Sequence, residues 1–537
     1  MSPLDRVLVE QSWLRARRQA GTDHPGSDSR TCVPSSRAFP QVVAVSDTLD
    51  RRSFLRHAVA GAALTAVSGP GRLTTLRVRP RRSAIPQRII VIGAGMAGLA
   101  TALDLLAKGH DVTVLEARTR PGGRVFTIRE PFADGLYAEA GAMQVFDSHE
   151  RAQRYIRELG LEIDAIRPSP GTSILHVMGK RVLMKPGERV AWPFVLADGE
   201  KSLDVRALWD KYVHAAVQEV ADAESRDTSL RSVAKYDRLT FSAFLRAQGA
   251  SPAAIAILAV GLPSGLGDGP DRVSALDLLR EAAHRAARKQ SFTIRGGTDR
   301  LPKALAARLG DRVHYGTPVL SLERQPEGVR VVAAQGGSPR TYVADRVVSA
   351  IPFTVLRRLE VTPPFGPEKR SAIEQLRYTS VTRVFVQTRT RFWIEEGLSA
   401  NASTDLPVMG IYERALNQPG TRGILESYMA GPNARKAMAM TDRERLTATV
   451  EGMAKVYPSI RQQFEGGMSK CWDEDEWSRG AYAWFEPGQM TTLMPHVSRP
   501  EGRVHFAGEH ASSAPGWIEG ALESAERVVR EIDDVAG

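Results

Sequence analysis

Gly93, Gly95 and Gly98 have the spacing Gly-x-Gly-x-x-Gly, which suits a backbone turn around a phosphate. The first glycine allows a tight bend, the second lets a pyrophosphate approach the backbone, and the third lets a helix pack closely on a strand. Glu116 follows about 20 residues later, where a carboxylate would bind the hydroxyls of a ribose. These residues predict a dinucleotide site and leave open whether it takes nicotinamide or flavin.

The elements that must position this turn are also predicted by the sequence. Residues 88–92 are apolar and β-branched, as in a buried parallel strand. Residues 99–107 have the apolar periodicity of a helix, which Gly109 ends before a second strand at 111–115. A pyrophosphate at the start of that helix would meet unpaired N–H groups and the positive end of the helix dipole.

Two further loops extend the predicted site. Residues 121–123, Pro-Gly-Gly, predict a loop before Arg124, whose guanidinium offers a fixed fork for phosphate. Near the C-terminus, residues 504–510 read VHFAGEH and residues 515–521 read PGWIEGA. We interpret the two glycine-containing motifs together as the two ends of a site for FAD.

Length and charge limit the other possibilities. With 537 residues, 42% of them hydrophobic, the chain is expected to form two or three domains. No apolar run is long enough for a stable membrane span. The net charge of +11 is concentrated in residues 1–90, which hold 15 Arg, no Lys and 6 acids, so residues 91–537 carry only +2. Nucleic acid is therefore not expected as a partner.

The N-terminal segment predicts export. Residues 50–56, DRRSFLR, precede a weakly apolar stretch at 57–69, and the pair resembles a twin-arginine signal. We expect a secreted or cell-envelope protein that loads FAD in the cytoplasm, passes through the twin-arginine export machinery and begins near residue 70. An arginine pair arising by chance in an arginine-rich segment is the alternative. Cys32 precedes the signal, so Cys471 would be the one thiol of the exported chain.

Several motifs resemble those of the FAD-dependent flavin amine oxidase family, over residues 86 to 535 approximately. They are GAGMAGL at 93–99, VLEARTRPGGRV at 114–125, YAEAGAMQ at 137–144, IRGGTDRLP at 294–302, HFAGEH at 505–510 and PGWIEGALESAERV at 515–528. Within the family, the sequence is most similar to bacterial L-amino acid oxidases and flavin monoamine oxidases.

The resemblance implies a two-lobed α/β fold, α+β overall. A Rossmann-like FAD-binding domain is joined to a mixed-sheet substrate domain with a helical insertion. The expected segments are a leader at 1–86, FAD-binding segments at 87–150, 291–352 and 496–537, substrate-domain segments at 151–202 and 353–495, and a helical subdomain at 203–290. The protein could form a homodimer, which the sequence leaves open. No metal site is expected.

The resemblance also implies which residues contact FAD. Glu116 would hold the adenosine ribose, Arg124 a phosphate, and residues 141–144 would run beside the isoalloxazine ring. The full expected set is Gly93, Gly95, Met96, Ala97, Gly98, Glu116, Ala117, Arg118, Arg124, Gly141, Ala142, Met143, Gln144, Val319, Gly508, Glu509, Gly516, Trp517, Ile518, Glu519 and Ala521.

The implied chemistry is removal of a hydride from the carbon next to a neutral amine. The resulting imine hydrolyses, and the reduced flavin passes its electrons to O₂ to give H₂O₂. Tyr482 and Trp517 match the two aromatic side walls around the substrate amine, with Gly516 beside them. Flat aromatic walls exclude water and direct the nitrogen lone pair; core packing is the alternative role for either ring.

Three departures from the family pattern concern the substrate. Gln144 stands where an L-amino acid oxidase has an arginine that clamps the substrate carboxylate. Tyr412 and Glu413 lie near a family tyrosine that assists that carboxylate, and Glu413 in the cavity would repel an acid and attract a cation. The substrate is accordingly expected to be an amine, or an acid that is recognised differently.

The third departure is Arg383, which stands where the family has a lysine that holds a water near flavin N5. Arginine stays charged and is bulkier, so a flavin dehydrogenase or monooxygenase remains an alternative to an oxidase, and a non-catalytic flavin-binding protein is a further one. His284 is expected to be an exposed histidine on a helix, with a position in the wall of the substrate funnel as the alternative.

Overall fold

The computed structural model describes residues 85–167, 169–226, 230–261, 267–415 and 417–536. The expected twin-arginine pair, its apolar stretch and Cys32 lie outside these residues. Among the helices of the described ranges, none has the length and apolar character needed to cross a bilayer.

The described residues form 23 strands, 18 α-helices and three short 3₁₀ helices. The strands are Arg88–Ile92, Asp111–Leu115, Thr127–Ile128, Ala138–Glu139, Val145–Phe146, Ile163–Ala165, Thr172–Val177, Lys180–Met184, Ser291–Ile294, Val313–His314, Val319–Arg324, Val329–Gln335, Ser338–Ala344, Arg346–Ser349, Glu360–Thr362, Arg377–Tyr378, Val381–Thr388, Leu398–Thr404, Gly410–Glu413, Gly423–Ala430, Phe464–Cys471, Ala483–Trp484 and Val504–Phe506. The α-helices are Met96–Ala107, Glu150–Glu158, Val205–Tyr212, His214–Arg226, Ala234–Asp237, Phe241–Ala247, Pro252–Gly261, Ala275–Ala286, Arg300–Leu309, Phe353–Leu356, Pro367–Gln375, Phe392–Glu395, Gly431–Met438, Asp442–Ala454, Ile460–Gln463, Gln489–Thr492, Met494–Val497 and Ile518–Ala536. The 3₁₀ helices are Arg231–Val233, Gly310–Arg312 and Glu509–Ala511.

A five-stranded parallel sheet is assembled from distant parts of the chain. Its spatial order is Val313–His314, Asp111–Leu115, Arg88–Ile92, Arg346–Ser349 and Val504–Phe506. Its apolar, β-branched strands are buried on both faces. On one face the helices Met96–Ala107 and Ile518–Ala536 pack against each other and against the sheet, and the residues of the other face cluster with those of the strands Val319–Arg324 and Val329–Gln335. The predicted strands at 88–92 and 111–115 are confirmed.

A seven-stranded mixed sheet forms a second layer. Its order is Phe464–Cys471, Val381–Thr388, Gly423–Ala430, Gly410–Glu413, Leu398–Thr404, Thr172–Val177 and Lys180–Met184, with one parallel pair between Leu398–Thr404 and Thr172–Val177. Every residue of the strand Val381–Thr388 is buried. This sheet therefore holds Arg383 in the protein interior.

The amino-acid sequence of residues 313–322 predicts a single strand, but the structure divides this segment between two sheets. Val313–His314 ends the five-stranded sheet, whereas Val319–Arg324 belongs to a four-stranded sheet with Val329–Gln335, Ser338–Ala344 and Glu360–Thr362. Between them Gly316 has a φ of 60°, and Pro318 has no N–H for a sheet hydrogen bond. The chain therefore turns from one sheet to the other at this point.

Lys369, on the helix Pro367–Gln375, is buried, and no carboxylate of the described residues makes a hydrogen bond to it. Its Nζ donates to Val497 O at 2.8 Å and lies 3.9 Å from the centre of the Phe506 ring. Burial lowers the pKa of Lys369 to about 7. The unfolded chain holds this proton more tightly, with a lysine pKa of about 10.4, so the buried amine destabilises the fold fully below about pH 7 and ever less toward about pH 10.

Replacing Lys369 with Met is therefore expected to raise the free energy of unfolding by about 1–3 kcal/mol at neutral pH, after the lost hydrogen bond to Val497 is subtracted. The gain should shrink toward about pH 10, where the lysine is neutral in both states. Urea unfolding across this pH range measures it, with the exposed Lys180→Met as the control. A difference that does not change with pH would contradict the assigned cause.

Candidate active site

A cavity of about 1340 Å³ lies where the carboxyl end of the strand Arg88–Ile92 meets the two glycine motifs. Most of the residues expected to contact the cofactor line this single cavity. They are Gly93, Gly95, Met96, Ala97, Glu116, Ala117, Arg118, Arg124, Gly141, Ala142, Val319, Gly508, Glu509, Gly516, Trp517, Ile518 and Ala521. Its position at the carboxyl edge of a parallel sheet suits a dinucleotide.

Four expected residues do not line this cavity. A Cβ on Gly98 would lie 1.9 Å from Gly93 O, so Gly98 lets the helix pack on the turn. Met143 and Gln144 line a neighbouring cavity instead. The carboxylate of Glu519 accepts hydrogen bonds from Ala152 N at 2.9 Å and from Arg151 N at 3.1 Å, so it caps the helix Glu150–Glu158.

The turn itself fits a pyrophosphate and a ribose. A Cβ added to Gly95 would meet no protein atom within 4 Å, and no side chain caps the helix that begins at Met96. The first-turn N–H groups of that helix are therefore available to an anion. Glu116 is buried and accepts hydrogen bonds from Ala94 N at 2.6 Å and from Arg118 N at 2.8 Å. Burial raises the pKa of Glu116 above its usual value.

An ion pair joins the two glycine motifs. Arg124 Nη1 lies 2.7 Å from Glu509 Oε1, and Glu509 Oε2 accepts a hydrogen bond from Gly516 N at 2.8 Å. Gly516 has a φ of 84°, a conformation that favours glycine, and its α-carbon faces the ring of Tyr482. One chain of contacts thus connects the phosphate-binding loop to the aromatic residues.

A second cavity meets the first at Gly141, Arg383, Tyr428, Tyr482, Gly516 and Trp517. The helix Ala275–Ala286 supplies much of its outer wall with Asp277, Glu281, His284 and Arg285. His284 is half-buried there, with Nε2 3.1 Å from Glu224 Oε2, so the expectation of an exposed histidine is wrong. The helices His214–Arg226 and Ala275–Ala286 pack together and bring Glu224 to it.

Tyr482 and Trp517 both stand at the junction of the two cavities. The Tyr428 hydroxyl lies 3.4 Å from the Tyr482 hydroxyl, and burial raises the pKa of Tyr482 well above its usual value, so its phenol stays protonated. The Arg288 guanidinium carbon lies 4.0 Å from the centre of the Trp517 ring. Trp517 Nε1 donates to Glu281 Oε2 at 3.1 Å, which fixes the plane of the indole.

Arg383 belongs to a buried triad that its sequence position alone did not indicate. It pairs in a bidentate manner with Glu426, and its Nη1 donates to Gly141 O at 2.6 Å. Arg414 Nε donates to the same Glu426 carboxylate. Burial alone would raise the pKa of Glu426, but the charges of Arg383 and Arg414 outweigh it and hold the pKa below its usual value.

Glu413 does not face the substrate cavity, and that expectation is wrong. Successive side chains of an extended segment alternate between its faces, so Tyr412 and Arg414, the residue that follows the strand Gly410–Glu413, line the cavity and Glu413 points away. Glu413 is buried on the other side, with Oε1 3.1 Å from Arg391 Nε. The wall of the cavity therefore carries the guanidinium of Arg414 at this point, rather than the expected carboxylate of Glu413.

Comparisons with known proteins agree with this geometry. The profile of the family described as flavin containing amine oxidoreductase matches residues 96–533. The Bacillus subtilis (strain 168) protein YobN, named provisionally as an L-amino-acid oxidase, is 31% identical over 458 residues, covering 83% of this chain and 95% of its own. The chain belongs to the flavin-containing amine oxidoreductase family. An L-amino-acid oxidase of Demansia vestigiata is 28% identical, over 84% of this chain and 88% of its own.

Solved structures of the family share the fold. Wild-type putrescine oxidase bound to putrescine aligns with a TM-score of 0.72 at 24% identity, over 83% of this chain and 99% of its own. Cyclohexylamine oxidase from Brevibacterium oxydans IH-35A aligns with a TM-score of 0.72 at 23% identity, over 84% and 99%. The expected α/β fold is thereby confirmed, and this flavin-containing amine oxidoreductase is an FAD-dependent enzyme that acts on the CH–NH₂ group of an amine or amino acid.

In a flavin-containing amine oxidoreductase, bound FAD supplies the acceptor for the two electrons taken from the substrate. The chain's own residues orient the substrate and exclude water. Tyr482 and Trp517 stand where they would confine an amine between flat apolar faces, and the neutral phenol of Tyr482 adds no charge there. The Arg383 contact with Gly141 O fixes the loop where the two cavities meet.

The sequence analysis missed Glu426, Arg414, Glu281 and Arg288. For Glu426, the sequence does contain a signal that could have predicted its role. The strand Gly423–Ala430 is almost entirely buried and contains one ionisable acid, Glu426, and a buried carboxylate requires a positive partner. No comparable local signal marks the other three, because their roles depend on contacts with distant segments.

Proposed function

We propose that the protein is an oxidase that takes a hydride from the carbon beside a neutral amine and uses O₂ as the final electron acceptor, with an imine and H₂O₂ as products. The observation that carries this proposal is the pair of aromatic side chains, Tyr482 and Trp517, at the junction of the cavity that holds the glycine motifs and the second cavity beside it. Relatives named as oxidases of L-amino acids, putrescine and cyclohexylamine support the same reaction class.

In this proposal the expected residues have distinct roles. Tyr482 and Trp517 contact the substrate directly, and Gly516 lies between the substrate and Glu509. Gln144 and Tyr412 form the neutral part of the substrate-cavity wall. Arg383 is a positioning residue, because Glu426 and Gly141 O occupy its hydrogen-bonding groups.

We also propose that the chain divides into an FAD-binding domain, a substrate domain and a helical subdomain. The FAD-binding domain would comprise 87–150, 291–352 and 496–537, which include all five strands of the parallel sheet. The substrate domain would comprise 151–202 and 353–495, and the helical subdomain 203–290 would shape the substrate cavity.

Anaerobic mixing of the FAD-loaded protein with a panel of amines and amino acids tests the reaction. Bleaching of the flavin absorbance by at least one compound, followed by H₂O₂ formation in air, is the expected result. Fast bleaching with slow reoxidation by O₂ but fast reoxidation by a dye would favour a dehydrogenase. The absence of bleaching by every compound would contradict amine oxidation.

We also propose export through the twin-arginine machinery, with FAD bound beforehand in the cytoplasm. Support comes from the Arg51-Arg52-Ser53-Phe54-Leu55 sequence and the weakly apolar residues that follow it. N-terminal sequencing of protein recovered outside the cytoplasm should give a start near residue 70. Active protein that retains the whole leader would contradict this proposal.

A further inference from the structure

We propose that Arg414 binds the carboxylate of an amino acid substrate, in place of the arginine that Gln144 replaces. This inference rests on the proposed amine oxidation and names its substrate class: the enzyme prefers an α-amino acid to the corresponding decarboxylated amine. Arg414 belongs to a triad with Arg383 and Glu426, and it lines the substrate cavity.

The triad carries one surplus positive charge, because two guanidinium groups share one carboxylate. Arg383 has little capacity left to donate further hydrogen bonds, because its Nε and Nη2 donate to Glu426 and its Nη1 donates to Gly141 O. Arg414 donates to Glu426 only through Nε. The N–H donors of the triad that lack an oxygen acceptor therefore lie chiefly on the terminal nitrogens of Arg414.

Those terminal nitrogens lack a strong acceptor among the described residues. Arg414 Nη1 lies 3.6 Å from the thioether sulfur of Met143, which is a weak acceptor. The side chain of Arg414 is only 12% exposed, so water satisfies it poorly. A substrate carboxylate would supply charge-assisted hydrogen bonds to a guanidinium that is already desolvated and held in place.

Arg414 is also in the right place. It lines the substrate cavity beside Gln144 and Tyr412, close to the junction that holds Tyr482 and Trp517. Its guanidinium carbon lies 4.8 Å from the centre of the Tyr412 ring, which limits the orientations it can adopt. The neutral groups of Gln144 and Tyr412 could add hydrogen bonds to the same carboxylate without competing for its charge.

The acids of the cavity do not oppose this assignment. Glu281 is engaged by Trp517 Nε1 and by the guanidinium groups of Arg285 and Arg288. Asp277 lies on the same helix, Ala275–Ala286, and accepts a hydrogen bond from Phe485 N at 3.0 Å. Arg414 follows the strand Gly410–Glu413 and lines the same cavity, so an amine without a carboxylate would leave Arg414 with Glu426 as its one anionic partner among the described residues.

Matched pairs of substrates test the inference, each pair differing only by the carboxylate: L-phenylalanine and phenethylamine, L-leucine and isoamylamine, L-ornithine and putrescine. The wild-type enzyme is expected to have the higher kcat/KM for the amino acid of each pair that it oxidises. Arg414→Gln should lower kcat/KM for the amino acid by about tenfold to a hundredfold and change the amine by less than about threefold.

Two further variants separate charge from structure. Arg414→Lys keeps the positive charge and should recover part of the preference for the amino acid. Arg461→Gln removes a half-exposed arginine that pairs with Glu451 far from the cavity, and it should alter neither member of a pair. Equal losses for the acid and the amine in Arg414→Gln, or a wild-type preference for the amine, would overturn the inference.

A binding measurement decides the question independently of turnover. The amine-free acids 3-phenylpropanoate and 4-methylpentanoate are titrated into the FAD-loaded protein and followed by the flavin absorbance, with their neutral amides as controls. At least one acid should bind the wild type, and about tenfold or more weakly the Arg414→Gln variant. Failure of all substrates to bleach the flavin would contradict only the proposed function. Absence of acid binding, or equal binding by both proteins, would overturn the role of Arg414.

Discussion

Replacing Glu426 with Gln is expected to lower the free energy of unfolding by about 3–5 kcal/mol and to reduce the yield of folded flavoprotein sharply. The carboxylate is fully buried and is the shared partner of Arg383 and Arg414. A neutral amide would leave two guanidinium groups close together without a counter-charge in the interior of the seven-stranded sheet. Denaturant unfolding and the ratio of flavin to protein measure the two effects.

The matched control for this variant is Glu451→Gln, which removes one partner of the half-exposed pair with Arg461 and should cost less than about 1 kcal/mol. A second variant, Glu426→Gln combined with Arg414→Gln, removes one of the two uncompensated charges. It should therefore be more stable than Glu426→Gln alone, with a coupling of about 1 kcal/mol or more. Wild-type stability of the Glu426→Gln protein would contradict the triad as described.

Alanine at Gly95 and alanine at Gly98 are both expected to impair FAD binding, but only alanine at Gly98 should also destabilise the flavin-free protein. Gly98→Ala should destabilise the protein by about 3 kcal/mol or more and abolish flavin binding, because its methyl group would lie 1.9 Å from Gly93 O. Gly95→Ala should leave the flavin-free protein within about 1 kcal/mol of the wild type and weaken FAD binding by about tenfold or more.

The difference follows from what each methyl group would meet. Gly95 has a φ of −74°, which any residue adopts, and its Cβ would enter open space inside the cofactor cavity. Unfolding of the flavin-free proteins and titration with FAD separate the two effects. Normal FAD affinity in Gly95→Ala would show that the pyrophosphate does not approach the backbone at this turn.

Local sequence signals were sufficient for the cofactor side of the molecule. The turn at Gly93, the strand before it and Glu116 form one continuous segment, so their spacing and periodicity determine their arrangement directly. The contacts with FAD expected for Ala117 and Val319 remain predictions, although both residues line the cavity that the turn creates. The split of residues 313–322 between two sheets was missed because periodicity does not report which sheet a strand joins.

The substrate side depended on long-range pairing that a single sequence does not specify. Glu413 and Arg414 are neighbours in the chain, and a shift of one residue in the strand exchanges an acid for a base in the cavity. The partner that decides the outcome is Glu426, which lies directly across from Tyr412 in the sheet. The expectation that Glu413 gives the cavity a negative charge was wrong because of this shift of one residue. The cavity wall carries the positive charge of Arg414 at this point instead.

The five-stranded parallel sheet has a consequence for the biosynthesis of the protein. Its central strand, Arg88–Ile92, is translated about 400 residues before the edge strand Val504–Phe506 and the helix Ile518–Ala536. The turn at Gly93 and the loop at Glu509 therefore cannot both contact FAD until residue 509 has been translated. FAD binding therefore requires that translation has passed residue 509 and that the two motifs have folded together. A chain terminated before that point would lack the flavin absorbance.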